Sequence, residues 1–434
     1  MKKLFTFLPL FVISMCTFAQ SNDSINMALN QHEADLSVLK RIKIEAYIQA
    51  QYQIAEANGA KSFEGGNFAE GVDKRFMLRR GRFRLTYEHN NFKLFMQPNL
   101  SENGIQLMDF WGKIKDNKWN SFGLQMGLMN RPFGYEIGYS SMTRETPERG
   151  RMSQSIFPSE RDLGAMVMYE PLSASRMHWL KIEAGIYNGT GTANPIDIAT
   201  KGAGPDFDYK KDFIGHFILK NSYFGERLKI SGGASYYNGG IVQANKFVYS
   251  MSTNSDGESI FAVDSSTNNK GKIAKKEYMG ADFQASYDWK GGLTTIRAEY
   301  IQGVQPSSKS DSRTSPVAPS AETVNRNFNG AYFYFVQNIA HSKHNIVVKY
   351  DWYDPNTKIS GMELTAKDSK GKSTNITATD INYKTLGLGY LYTLNEHVKL
   401  MLYFAYVENE NTKLAGYTSN LKDNVFTARV QYKF

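Results

Sequence analysis

The sequence predicts an all-β fold, a transmembrane antiparallel β-barrel of roughly sixteen strands with short periplasmic turns and long extracellular loops. Three observations predict it. Apolar and polar residues alternate over segments long enough to cross a bilayer, the connections alternate between short and long, and no run of about 18 apolar residues follows the leader. The last excludes a helical membrane protein. With 13% aromatic residues at a mean hydropathy of −0.46, the chain is too rich in rings for a disordered polypeptide.

Taken in order, Lys2 and Lys3 precede an apolar run from Leu4 to Met15 and the small-residue pattern Thr17-Phe18-Ala19, which reads as a signal peptide over 1–19. The single cysteine, Cys16, lies inside it, so no disulfide or thiol chemistry is expected of the exported chain. Loss of Lys2 and Lys3 lowers the formal charge of +9 by two. Residues 20–40 carry weak helical spacing at Met27, Leu29, Leu36 and Leu39 and are expected to form a short, frayed periplasmic segment. The barrel domain is expected over 41–434.

The first strand shows the period most plainly. Ile42, Ile44, Ala46, Ile48, Ala50, Tyr52 and Ile54 fall on one face, and Lys43, Glu45, Tyr47, Gln49, Gln51 and Gln53 on the other. The last repeats it, with Phe426, Ala428, Val430, Tyr432 and Phe434 against Thr427, Arg429, Gln431 and Lys433. Between them, strands are expected near 75–88, 91–99, 104–115, 119–130, 162–170, 178–189, 211–220 and 227–238. Six more are expected near 276–289, 292–303, 328–340, 344–353, 380–392 and 397–410. All connections alternate between short and long except a short one at 98–103, and an even strand count puts both termini on the periplasmic side. The loops 251–276 and 304–327, rich in Asn, Ser, Thr, Gly and Lys, are expected to be mobile and not separate domains. Trp111, Trp119, Trp179, Trp289 and Trp352 fall near strand ends, where interfacial rings are expected. A soluble sandwich would not carry such full-length apolar faces, and a propeller would show a repeat of about 40 residues.

Two groups of residues bear on function. If Phe83, Leu85 and Tyr87 face lipid, then Arg80, Arg82, Arg84 and Glu88 face the lumen, because an arginine at the lipid midplane costs about 2–4 kcal/mol. Guanidinium forks in a narrow pore attract anions, unless partners such as Glu45, Glu88 or Asp109 neutralise them. The second group lies in the connection 131–162. There Arg131, Arg144, Arg149, Arg151 and Arg161 are matched by Glu136, Glu145, Glu148, Glu160 and Asp162. A constriction built from them is formally neutral, and opposed clusters would set a transverse field. Lysines such as Lys270, Lys276 and Lys367 in the long loops would steer anions only weakly.

The segments Arg79-Arg80-Gly81-Arg82-Phe83-Arg84-Leu85, Gly127-Leu128-Met129-Asn130-Arg131-Pro132-Phe133-Gly134, Glu148-Arg149-Gly150-Arg151 and Arg161-Asp162-Leu163-Gly164 resemble the phosphate-selective porins O and P. The resemblance implies a sixteen-stranded homotrimeric porin with an inward-folded third loop. Many family members carry Lys at the place of Arg131, so charge is kept and geometry changed. Phe434 with its alternating neighbours resembles the signal read by the outer-membrane assembly machinery.

No catalytic, metal or cofactor site is expected. His341 and His344 read as a turn pair without supporting ligands, Asn188-Gly189-Thr190-Gly191 as a loop, and the basic balance without a recognisable module does not point to nucleic acid. The expected function is passive diffusion of small hydrophilic solutes, preferring phosphate or other small anions, across the outer membrane of a Gram-negative bacterium. The eight arginines Arg80, Arg82, Arg84, Arg131, Arg144, Arg149, Arg151 and Arg161 would line the pore. A non-selective or oligosaccharide porin is the alternative within the fold; a barrel hydrolase or a surface-binding protein is the alternative outside it.

Overall fold

A strand with one apolar and one polar face is satisfied in a bilayer only if every backbone group pairs with a neighbour and the sheet closes on itself. The computed structural model describes residues 27, 29–31, 36–102, 104–191, 206, 208–315 and 319–434, and it shows that closure. The strands are β1 (Ile42–Ala55), β2 (Lys74–His89), β3 (Phe92–Ser101), β4 (Gly104–Lys115), β5 (Phe122–Asn130), β6 (Arg161–Tyr169), β7 (Leu180–Tyr187), β8 (Asp212–Tyr223) and β9 (Leu228–Val242). They continue as β10 (Val248–Thr253), β11 (Ser259–Asp264), β12 (Ile273–Trp289), β13 (Gly292–Ser307), β14 (Thr323–Asn338), β15 (His344–Asp354), β16 (Tyr383–Thr393), β17 (Val398–Asn409) and β18 (Val425–Lys433). β10 and β11 form a hairpin within a long loop, β9 pairs directly with β12, and the other sixteen strands make the antiparallel barrel. β1 pairs with both β2 and β18 and closes it. The terminal Phe434 extends that seam, its amide donating to the Ala46 carbonyl at 3.0 Å while the Ala46 amide donates back at 3.2 Å.

Burial follows the alternation. On β1, Tyr47, Gln49, Gln51 and Gln53 are buried while Ile44 and Ile48 are exposed. Leu124, Met126, Phe217, Met279, Phe333, Leu388 and Phe404 continue this apolar exterior around the wall. Among the described residues no helix is long and apolar enough to cross a membrane; strands do the crossing. Trp119, Trp179 and Trp289 are exposed at the turn end, as expected of rim residues. Trp111 departs from that expectation. It stacks on Phe95 at 5.1 Å and packs against the interior core, because its odd position in β4 places it on the lumen face with Asp109.

The long loops also depart from expectation. Instead of standing free, they share a core in which Phe261 of β11, Val324 of β14 and Ile359, Leu364, Ile376 and Leu414 of the last two loops pack together. Arg326 ties this cap to the barrel, with Nε 2.9 Å from the Asp380 carboxylate and both side chains fully buried. The loop composition hid this, because a few apolar residues contributed by separate loops add up only in three dimensions. The signal-peptide reading over 1–19 lies outside the described residues. In the segment that follows, Met27, Leu29, Leu36 and Leu39 are exposed.

Candidate permeation pathway

The connection from β5 to β6 does not stay at the rim. It enters the lumen, carries the short helix α1 (Arg151–Ile156), and buries Phe133, Ile137, Met152, Ile156 and Phe157 among the inward tyrosines Tyr237, Tyr278 and Tyr332. Polar anchors hold it around the wall. The Tyr135 and Glu136 amides donate to Glu299 of β13 at 3.1 and 3.0 Å. The Gly134 amide donates to Ser235 of β9 at 2.8 Å. Gly134 needs its lack of a side chain twice over: its φ is +58°, and a Cβ there would run into the Glu299 carboxylate. Tyr47 and Ser141 share a 2.7 Å hydrogen bond between hydroxyls, Lys399 donates to the Arg144 carbonyl at 3.2 Å, and Arg297 grips Glu145 with two bonds of 2.8 and 3.0 Å.

Glu148 is the centre of the inserted loop. It accepts from Arg79 at 2.8 and 3.0 Å, from Arg80 at 2.5 Å and from Arg429 at 3.2 Å. Arg79 reaches it because the β1–β2 register shifts between Gln49 and Ala50, a β-bulge that leaves Arg79 unpaired and turns it inward beside Arg80. Burial alone would push the Glu148 carboxyl up; the guanidiniums of Arg79, Arg80 and Arg429 overcome it and hold it well below the usual carboxylate range. Glu136 closes the two limbs of the loop on each other, accepting from the Gly150 amide at 3.0 Å and the Tyr334 hydroxyl at 2.7 Å.

The eight arginines singled out in the sequence separate into different environments. Arg80 belongs to the Glu148 clamp. Arg84 donates to Gln97 and to Ser140 of the inserted loop at 2.6 and 2.8 Å. Arg131 is a buried staple at the loop's base, 3.0 Å from Asp162. Arg149 pairs with Glu160, and Arg161 bridges Asp109 and Glu160 at 2.9 and 3.1 Å. Arg151 stacks between two rings at the loop end. Arg144 is buried with none of its three side-chain nitrogens hydrogen-bonded. Arg82 makes no ion pair among the described residues, and its Nε has no partner. The anticipated pairings of the arginine row with Glu45 and Glu88 do not form, since those carboxylates bind Lys43 and Lys93.

Three cavities flank the inserted loop. The widest, about 1250 Å³, opens toward the turn end and is lined by Arg82, Arg84, Arg149 and Arg161 together with Trp111 and Lys220. Two others, about 570 and 480 Å³, lie toward the loop end. Arg82 lines both the 1250 and the 480 Å³ cavities, and Arg149 lines both the 1250 and the 570 Å³ ones. The narrow zone between the vestibules is therefore bounded by Arg82 and Arg149, and of these two Arg82 alone has no ion-pair partner among the described residues.

Sequence reasoning missed Arg79, Arg297, Lys399 and Glu299. Arg297 and Glu299 share the lumen-facing parity of β13 and were legible by alternation; Arg79 was not, because the bulge reverses its parity. Arg429 was placed on the correct face of the last strand without a role.

Two carboxyls near the loop end titrate near neutrality, Asp423 on the wall of the 570 Å³ cavity and Glu64 buried in the connection from β1 to β2. Burial pushes Glu64 up to about 7 and Asp423 up to about 6. Each folded-state pKa lies above its unfolded value, so the protonated form favours the folded loops at low pH and this contribution fades as pH rises through 7. The loop end accordingly gains negative charge between pH 5 and pH 8. Anion preference, read as reversal potential in a salt gradient, is expected to be higher at pH 5, and an identical value at both pH values would remove these carboxyls from the ion path.

No family model and no curated protein sequence matches the chain. Among solved structures it superposes on OprB of Pseudomonas putida with a TM-score of 0.55 at 10% identity, over 93% of this chain and 97% of that one. The outer membrane channel DcaP of Acinetobacter baumannii gives a TM-score of 0.50 at 10% identity, over 91% and 97%. At such identities the likeness shows the fold alone, a closed antiparallel β-barrel, in agreement with the sixteen-stranded wall described above.

Proposed function

We propose that this protein is an outer-membrane porin that passes small hydrophilic solutes by diffusion and prefers anions. The observation that carries the reading is Arg82, a cation without an ion-pair partner among the described residues, in the narrow zone between the 1250 and 480 Å³ vestibules. A guanidinium there replaces part of an anion's hydration shell and repels cations, and passage follows if binding stays weak. Phosphate, carboxylates and chloride all suit such a fork, so phosphate is one candidate solute among several. Export by the leader at 1–19, residence in the outer membrane of a Gram-negative bacterium, recognition of Phe434 by the assembly machinery and assembly as a homotrimer complete the proposal. Trimerisation is supported by the low wall at β5, β6 and β7, which have only 9, 9 and 8 residues against 17 in β12. A neighbouring copy would cover that side.

A second reading, a non-selective porin, draws support from the ion pairs that neutralise Arg80, Arg131, Arg149 and Arg161. One experiment separates the two. The purified protein is inserted in a planar bilayer, and its reversal potential is read in a KCl gradient before and after phosphate is added. Stable steps with chloride preference and slowing by phosphate are expected. Steps without preference would establish the non-selective pore, and absence of steps from folded protein would defeat the porin reading.

A further inference from the structure

The 570 Å³ cavity at the loop end contains polar groups that the pore reading does not use. Arg151 is held flat between two rings, its guanidinium carbon 3.8 Å from the Tyr383 centroid and 4.3 Å from that of Phe63. It makes no ion pair among the described residues, and its buried Nε has no hydrogen-bond partner. Ser153 and Ser155 on α1 are each 1% exposed, and neither hydroxyl has a partner although both residues line the cavity. On the same cavity Asp423 keeps one carboxylate oxygen unpaired. Such buried atoms are unmet hydrogen-bonding demands, and their grouping around one cavity is a site that a ligand would complete as these side chains turn toward it.

The required ligand chemistry follows from the groups. The guanidinium asks for an anionic acceptor. The two serine hydroxyls and the aspartate ask for hydroxyl groups that both donate and accept. Tyr417, which lines the cavity beside the Phe63 and Tyr383 rings that hold Arg151, adds apolar surface suited to C–H groups. Chloride meets only the first demand, and a neutral sugar meets only the others. Six basic and four acidic side chains line the cavity, which adds a net positive wall. The volume lies within the roughly 300–1,000 Å³ typical of small-molecule sites.

We infer that this cavity is a capture station for sugar acids, polyhydroxylated solutes bearing a carboxylate, which load there before passing Arg82. The inference rests on the pore reading and names the solute class that the pore would serve.

The test uses the full-length protein with D-glucuronate and D-glucose as probes. Block of the KCl current from the loop side measures binding in the channel, and calorimetry on detergent-folded protein measures it without conductance. Glucuronate is expected to bind at least tenfold more tightly than glucose by both methods. Arg151→Gln should remove that advantage. Ser153→Ala, a smaller change that α1 accommodates, should weaken glucuronate several-fold. Equal affinity for the two sugars, or glucuronate binding unaltered in both variants, would overturn the station. A conducting, anion-preferring channel that ignores glucuronate would overturn the station and leave the porin standing; calorimetric binding without conductance would support the station and defeat the porin.

Discussion

Arg82→Glu is expected to turn an anion-preferring channel into a cation-preferring one, with a change in the chloride-to-potassium permeability ratio of at least tenfold. The size follows from position and bookkeeping of charge. Two unit charges about 4 Å apart interact with about 1 kcal/mol even at the dielectric of bulk water. Exchanging a positive for a negative group doubles that to about 2 kcal/mol, and 1.4 kcal/mol is a factor of ten. Arg82 gives this effect undiluted because it has no ion-pair partner among the described residues to reorganise, whereas the same change at Arg161 would also release Asp109 and Glu160. The side chain lines both the 1250 and the 480 Å³ cavities, so every ion passing between them comes within reach of it. The check is the reversal potential in a KCl gradient, run beside Arg82→Lys, which should keep the sign. A glutamate variant with wild-type selectivity would remove Arg82 from the ion path and shift the constriction to Arg149.

The barrel was legible because its code is local. A period of two along β1 assigns Ile44 to lipid and Gln49 to the lumen whatever the rest of the chain does, and the short and long connections order the strands. The interior was legible only in part. Arg80, Arg82 and Arg84 share a parity, so their inward direction could be read; what each would meet could not, since Glu148 lies 68 residues along the chain from Arg80. Arg79 broke the parity rule through the bulge opposite Gln49 and Ala50. Trp111 was misassigned because closeness to a strand end says nothing about which face a ring occupies. The neutral count of five arginines and five acids in the third loop was correct as arithmetic, yet only part of the pairing is the loop's own: Arg131–Asp162 and Arg149–Glu160 close within it, and other members pair with the wall. Glu148 and Glu145 bind wall arginines, while Arg144 is left without a hydrogen bond. That exchange of partners between loop and wall makes the loop part of the barrel's interior, and no local pattern records it.

It also sets up the second large effect. Glu148→Gln removes the carboxylate that Arg79, Arg80 and Arg429 share, leaving those three guanidiniums, near Arg144 and Arg149, without an ion-pair partner among the described residues. Breaking a buried ion pair from one side costs about 3–5 kcal/mol, because the remaining charge stays desolvated. Glutamine keeps the shape and one acceptor, and Gln49 and Gln51 still accept from Arg80 and Arg429 at 3.1 and 2.9 Å, so the barrel closes as before. The loss therefore falls on the docking of the inserted loop. Single-channel conductance is expected to rise and to become noisy as the loop samples positions away from the wall, and anion preference is expected to increase because three cations now face the water. In the wild type the clamp should persist through mild acid. The Glu148 carboxyl titrates below the ordinary carboxylate range, so its contribution is complete above the unfolded pKa and is lost only at strongly acidic pH. The variant should carry at pH 7 the noise that the wild type develops only there. Quiet channels of wild-type conductance and selectivity in Glu148→Gln would mean that Glu136, Glu145 and the apolar contacts of Phe133 and Phe157 hold the loop without the clamp.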